Sequence, residues 1–142
     1  MTDDPGVDVD ALLAPAGSGG VVEVGLATDL AAIAVAARDR GARVGLLKGP
    51  ASKDELLDMV ARELGFPGWF GRNWDALDEL LVFPDPPDDR VILVVWDDAD
   101  RLAAVDPASA STARDVFASA AQERAALGAA SLVVIIRTGA VP

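Results

Sequence analysis

The chain has 142 residues, 51% of them hydrophobic, with 23 acidic against 12 basic side chains and a formal net charge of −11. That length suits one domain with one ordinary core, and a field of that sign repels nucleic acid and draws basic partners. Cysteine, histidine and tyrosine are absent, which removes disulfides, a thiolate nucleophile, Cys-based zinc sites, the commonest general base and the commonest transition-metal ligand together.

Met1 to Gly20 reads as a mobile tail, with two prolines, several aspartates and the run Gly17-Ser18-Gly19-Gly20. Val9 to Leu13 has the makings of one helical turn. The acidic start lacks the basic and apolar regions of a signal peptide, and no apolar run reaches bilayer length, so the expected location is the cytoplasm. Val21 to Leu26 is short and β-branched and predicts a strand. Thr28 or Asp29 caps a helix to about Arg40, with Leu30, Ile33, Ala34 and Ala37 inward and Gly41 as its stop. Val44 to Leu47 is the next strand, and the strand–helix–strand unit predicts parallel pairing. Ser52 and Glu55 form a capping box for a helix to Leu64 whose apolar stripe is Leu56, Leu57, Val60 and Leu64.

Gly65, Pro67, Gly68 and Gly71 then crowd into one loop, which breaks the preceding helix. Asn73 is a good N-cap for a short helix to about Val82. Leu77, Leu80 and Leu81 share its apolar face, and Asp75, Asp78 and Glu79 share another. Pro84 to Asp89 reads as a rigid acidic connector. Val91 to Trp96 is apolar throughout, as in a strand covered on both faces. Asp97 to Leu102 reads as an acidic turn. Asp106 and Pro107 start a helix to about Leu127, with Val116, Phe117, Ala120 and Ala121 inward. Leu132 to Ile136 is a last buried strand, and residues 138–142 read as a tail. Alternating strands and helices with all-apolar strands predict an α/β fold with a small parallel sheet and helices packed around it, in a single domain over residues 21–137.

First-turn acids complement the helix dipole by about 0.3–1 kcal/mol each, which accounts for one acid or two. Three on one face repel one another, so a basic partner better explains Asp75, Asp78 and Glu79. A glycosidase-like carboxylate pair needs two groups in different environments across a cleft, whereas these stand side by side on an exposed turn where neither is expected to shift strongly. The acids at Asp97 to Asp100 and at Pro84 to Asp89 lack calcium-loop spacing and read as solvated turns. Gly17 to Gly20 has no preceding strand and no Lys-Ser/Thr after it, so it is not a phosphate loop. No metal or cofactor site is expected. Trp74 and Trp96 read as core, whereas the Gly-flanked loop around Trp69 does not by itself place that ring inside or outside.

The run Phe70-Gly71-Arg72-Asn73-Trp74-Asp75-Ala76-Leu77, preceded by Pro67-Gly68-Trp69, resembles the signature of the barstar family, intracellular inhibitors of barnase-type ribonucleases. The strand ending in Trp96, the long Ala-rich helix and the last Val/Ile strand extend the resemblance from about Arg43 to Arg137. The resemblance implies a three-stranded parallel core, to which the strand at Val21 adds or beside which it lies. It also implies no catalysis. An acidic helix and its loop would instead enter the active site of a basic extracellular-type ribonuclease, with carboxylates standing where RNA phosphates would be. By this resemblance the partner-binding residues are Trp69, Gly71, Asn73, Asp75, Asp78 and Glu79, and neither nucleic acid nor membrane is a partner. The free protein is expected to be a monomer. Asp75 matches the acid of the signature, while Glu79 matches a second acid that is normally Asp. Asp78 stands where the inhibitor of barnase has Trp, Trp69 replaces a loop Tyr, and Ser119 occupies the position of a further acid.

Overall fold

Alternation along apolar strands gives one sheet two buried faces, because successive side chains point to opposite sides. The computed structural model describes residues 19–139 together with Val9 and Leu13. Within them the elements are β1 (Gly20–Val24), α1 (Leu30–Asp39), β2 (Arg43–Lys48), α2 (Lys53–Leu64), α3 (Trp74–Val82), β3 (Ile92–Asp97), α4 (Ala99–Val105), α5 (Pro107–Ala126) and β4 (Leu132–Arg137). The four strands form one parallel sheet in the order β1-β4-β3-β2. This is the expected α/β class, and β1 joins the sheet as a fourth strand on the β4 edge. The β1-α1-β2 unit is parallel as expected, but its strands lie at opposite edges with β4 and β3 between them.

Ile92, Val94 and Trp96 of β3 and Leu132, Val134 and Ile136 of β4 face one core, shared with α2, α3, α4 and α5. Leu93, Val95, Val133 and Ile135 face the other, closed by Leu30, Ile33, Ala34 and Ala37 of α1. The helices start and stop where their caps dictate. Asp29, Ser52, Asn73 and Asp106 each accept a first-turn amide, as N-caps do. Gly65 ends α2 with φ 66°, in the left-handed region, and a β-carbon there would meet the Arg43 guanidinium at 2.7 Å.

Three expectations change. Asp97 to Leu102 is not simply an acidic turn: Asp97 ends β3 and Ala99–Val105 is helical, held by the buried Ala99 and Leu102. The connector acid Asp88 is not solvated. It is clamped by Arg43 at 3.0 Å and Arg90 at 2.8 Å, and the Arg90 hydrogen bonds above all hold its carboxyl well below the usual range. Trp96 is fully buried and meets Phe117 edge-on, but Trp74 is only half-buried, at the margin of the larger core.

The expectation of a mobile segment over residues 1–20 lies largely outside the described residues. Of those that are described, Gly20 is already in β1, the Leu13 amide donates to the Val9 carbonyl, and Val9 and Leu13 both pack on the α1 side of the sheet. Of the expected C-terminal segment, Thr138 and Gly139 are described: the Thr138 amide donates to the Val24 carbonyl and the Gly139 amide to Asp100.

Candidate partner-binding site

The loop between α2 and α3 is fixed from both sides. Phe66 and Phe70 meet edge-on at 5.1 Å, and the Phe70 amide closes a turn onto the Pro67 carbonyl. Arg72 sits at φ 52°, a left-handed conformation that costs a non-glycine residue about 1 kcal/mol or more. Its Nε pairs with Asp58 of α2 at 3.0 Å. Asn73 caps α3 by accepting the Ala76 amide at 2.8 Å, and its amide nitrogen reaches back to the Gly71 carbonyl at 3.4 Å. A β-carbon at Gly71 would lie 3.0 Å from that nitrogen, which is why the turn takes glycine there. Lys53, in the first turn of α2, holds its ammonium 5.3 Å from the Trp74 ring centroid, a cation–π contact that ties the two helix starts together.

From this frame Trp69 projects with 60% of its surface exposed. Asp75 and Glu79 are exposed on consecutive turns of α3, while Leu77, Leu80, Leu81 and Val82 are buried beneath them. Asp78 departs from the expectation of three equivalent exposed acids. It is half-buried, its Oδ1 has no hydrogen-bond partner, and desolvation, then repulsion from Asp75, raises its pKa. The signal was present in the spacing: Asp78 precedes buried Leu81 by three residues and buried Val82 by four, so it borders the apolar arc. Ser119, on α5, is exposed.

Residues 45–136 match the family model described as Barstar (barnase inhibitor). The chain belongs to the barstar family. The matched span starts within β2, stops within β4 and contains every candidate contact residue, so β1 and α1 lie outside it. A search of curated proteins gives no match. Among solved structures, the chain is similar in fold to the Aeropyrum pernix ORC2 protein in its ADP form, at TM-score 0.63 and 16% identity, over 99% of this chain and 44% of that one. The ADPNP-ADP complexes of the same protein match at TM-score 0.56 and 13% identity, over 92% of this chain and 38% of that one. The chain thus spans less than half the length of these neighbours. At such identities the likeness is one of fold.

Open parallel sheets commonly bind ligands beyond the C-terminal ends of their strands, and a crevice of about 330 Å³ lies there, lined by Asp29, Lys48, Asp97 and Arg137. It is crossed by a strap that sequence reasoning missed. Arg137 grips Asp97 with two hydrogen bonds of 2.7 and 2.8 Å and donates a third to the Thr28 carbonyl. Arg137 holds the Asp97 carboxyl below its ordinary pKa. Asp97 is therefore committed to structure, and among the described residues no cluster of acids could hold a metal ion. The second residue missed is Arg124, fully buried in α5 and donating to the carbonyls of Ala130, Leu81 and Arg90. Its place in the stripe Phe117, Ala120, Ala121, Arg124 marks it as inward-facing.

Proposed function

We propose that this chain is a cytoplasmic, stoichiometric inhibitor of a small basic ribonuclease, and that it acts by occupying the enzyme's active site rather than by catalysis. The observation that carries the reading is the pair Asp75 and Glu79, exposed on a helix whose cap and loop are held rigid, beside the exposed Trp69, in a chain of the barstar family. Carboxylates so placed can stand against Lys, Arg and His side chains that otherwise bind RNA phosphates. Gly71 and Asn73 contribute by fixing the loop and the helix start. Truncating one partner of a desolvated charge pair costs about 2–5 kcal/mol or more, a range to which the barnase–barstar pair itself contributed, so it is carried here by family. The preset loop spares ordering cost on binding.

A second reading is favoured by the departures at the rim. With Asp78 where the inhibitor of barnase has Trp, and Ser119 in place of a further acid, the same face suits a basic protein other than a ribonuclease. Affinity capture from the producing organism's proteins, at low and high salt, separates the two. Wild type is expected to retain a small basic ribonuclease and inhibit it one to one. Asp75→Ala/Glu79→Ala should lose it, and added salt should slow association steeply, because charge steering governs the on-rate. Capture of a basic partner without ribonuclease activity would establish the second reading. A partner indifferent to both substitutions would sink the acidic-helix mechanism.

A further inference from the structure

Most bases of this acidic chain are engaged within it. Arg43, Arg72, Arg90, Arg114 and Arg137 are ion-paired. Arg40, Arg101 and Arg124 donate to carbonyls, and Lys53 lies against Trp74. Among the described residues this leaves three without a side-chain partner: Arg38, Lys48 and Arg62. All three are exposed, and all three line a single cleft of about 400 Å³ at the β2 edge. Arg38 comes from the last turn of α1 on one face of the sheet, Arg62 from the last turn of α2, which packs on the other, and Lys48 from the end of β2 between them.

The rest of the lining is Leu46, Met59 and Glu63. Leu46 and Met59 are half-buried and give the cleft an apolar floor. Glu63 uses its Oε1 to accept the Leu46 amide at 2.9 Å, so the edge strand is closed there to pairing with another strand. Three cations against one committed carboxylate leave the cleft with an excess of positive charge. Guanidinium groups offer forked donors suited to phosphate oxygens, and an ammonium adds a point charge. The volume lies within the range of small-molecule sites, about 300–1,000 Å³.

We propose that this cleft binds a small organic phosphate monoester, with the dianionic phosphate among Arg38, Lys48 and Arg62 and the apolar body on Leu46 and Met59. Size decides against larger anions. Fields are screened beyond about 8 Å at physiological ionic strength, so a small ligand feels the local cations. A nucleic acid, or the acidic helix of a second copy, must also cross the surface of a chain carrying −11. The inference does not depend on the ribonuclease-inhibitor reading.

The test is a calorimetric titration of the full chain with phenyl phosphate, with inorganic phosphate and benzoate as the two halves of that probe. Phenyl phosphate is expected to bind one site and more tightly than either half. Lys48→Gln and Arg62→Gln should each weaken it about tenfold or more, the scale of a lost charge-assisted hydrogen bond. Their thermal midpoints should be unchanged, because both side chains are exposed and unpaired. Asp75→Ala/Glu79→Ala is expected to bind phenyl phosphate as wild type does, even if it loses a protein partner. Absence of saturable binding at millimolar probe, affinity unmoved by both cleft substitutions, or benzoate binding as well as phenyl phosphate would each overturn the proposal.

Discussion

At the scale of single residues, one helix turn holds acids in two different environments. Asp75 and Glu79 are exposed, whereas Asp78 is half-buried with a partnerless Oδ1 and a raised pKa. A carboxyl whose pKa is raised on folding is less favourably ionised in the native state. It therefore subtracts stability above the folded pKa, and the loss fades as pH falls towards the unfolded value of about 3.9. Asp78→Asn is expected to raise the unfolding free energy at pH 7, read by urea denaturation, by at least about the few tenths of a kcal/mol of a like-charge helix pair, with the advantage shrinking near pH 4. Asp88 behaves oppositely. Its depressed pKa means that its clamp stabilises fully above the unfolded value of about 3.9 and is lost as pH falls through the lower folded one. Asp88→Asn should cost about 1 kcal/mol at pH 7 in urea denaturation, and the gap should narrow in acid.

At the scale of elements, the candidate site depends on how two helices are terminated. Gly65 ends α2 in the left-handed region, and Arg43 donates both to the Leu64 carbonyl there and to Asp88. Gly65→Ala meets an unfavourable φ and the Arg43 guanidinium together, and a loss of about 1–2 kcal/mol is expected by chemical denaturation. Asn73→Ala removes the α3 cap and the tie to Gly71. Caps of this kind are worth about 1 kcal/mol. On the proposed function this variant also weakens the partner complex without touching a charge, which surface plasmon resonance can measure against the stability loss. Asn73 was legible in the sequence because capping is local. The strain at Arg72 was not, because nothing in an arginine announces a left-handed conformation until the Asp58 pairing and the cap beside it fix the turn.

At the scale of the whole molecule, a buried cation joins segments distant in sequence. Arg124 links α5 to the end of α3, to the entry of β3 and to the turn before β4 through three carbonyls. Burial pushes its pKa down from the ordinary guanidinium value, yet it remains a charged donor. Arg124→Met fills much of the volume but strands those carbonyls, and a loss of about 2–4 kcal/mol is expected in equilibrium unfolding. The β1–α1 unit outside the family match gives the sheet a fourth strand and closes its second face. The three strands that the match reaches thereby gain a fourth beside β4.

The sequence by itself determined what depends on near neighbours. Caps at Asp29, Ser52, Asn73 and Asp106 act within three residues, and apolar runs of period two or 3.6 mark strands and helices whatever they pack against. The α/β class, the inward stripes and the acids at Asp75 and Glu79 were readable for that reason, whereas the exposed Trp69 was legible only through the family signature. Tertiary structure alone decided what depends on contacts across the chain. It set β1 and β2 at opposite edges, a choice that turns on pairing between remote strands. It turned the acids at Asp88 and Asp97 from solvated charges into ion-pair anchors, because their arginines lie elsewhere in the fold. It drew Asp78 towards the core margin and gathered Arg38, Lys48 and Arg62 around one cleft from three separate elements. Charge in a sequence gives only a sign and a position along the chain, and the environment that decides its energy is assembled only when the layers pack.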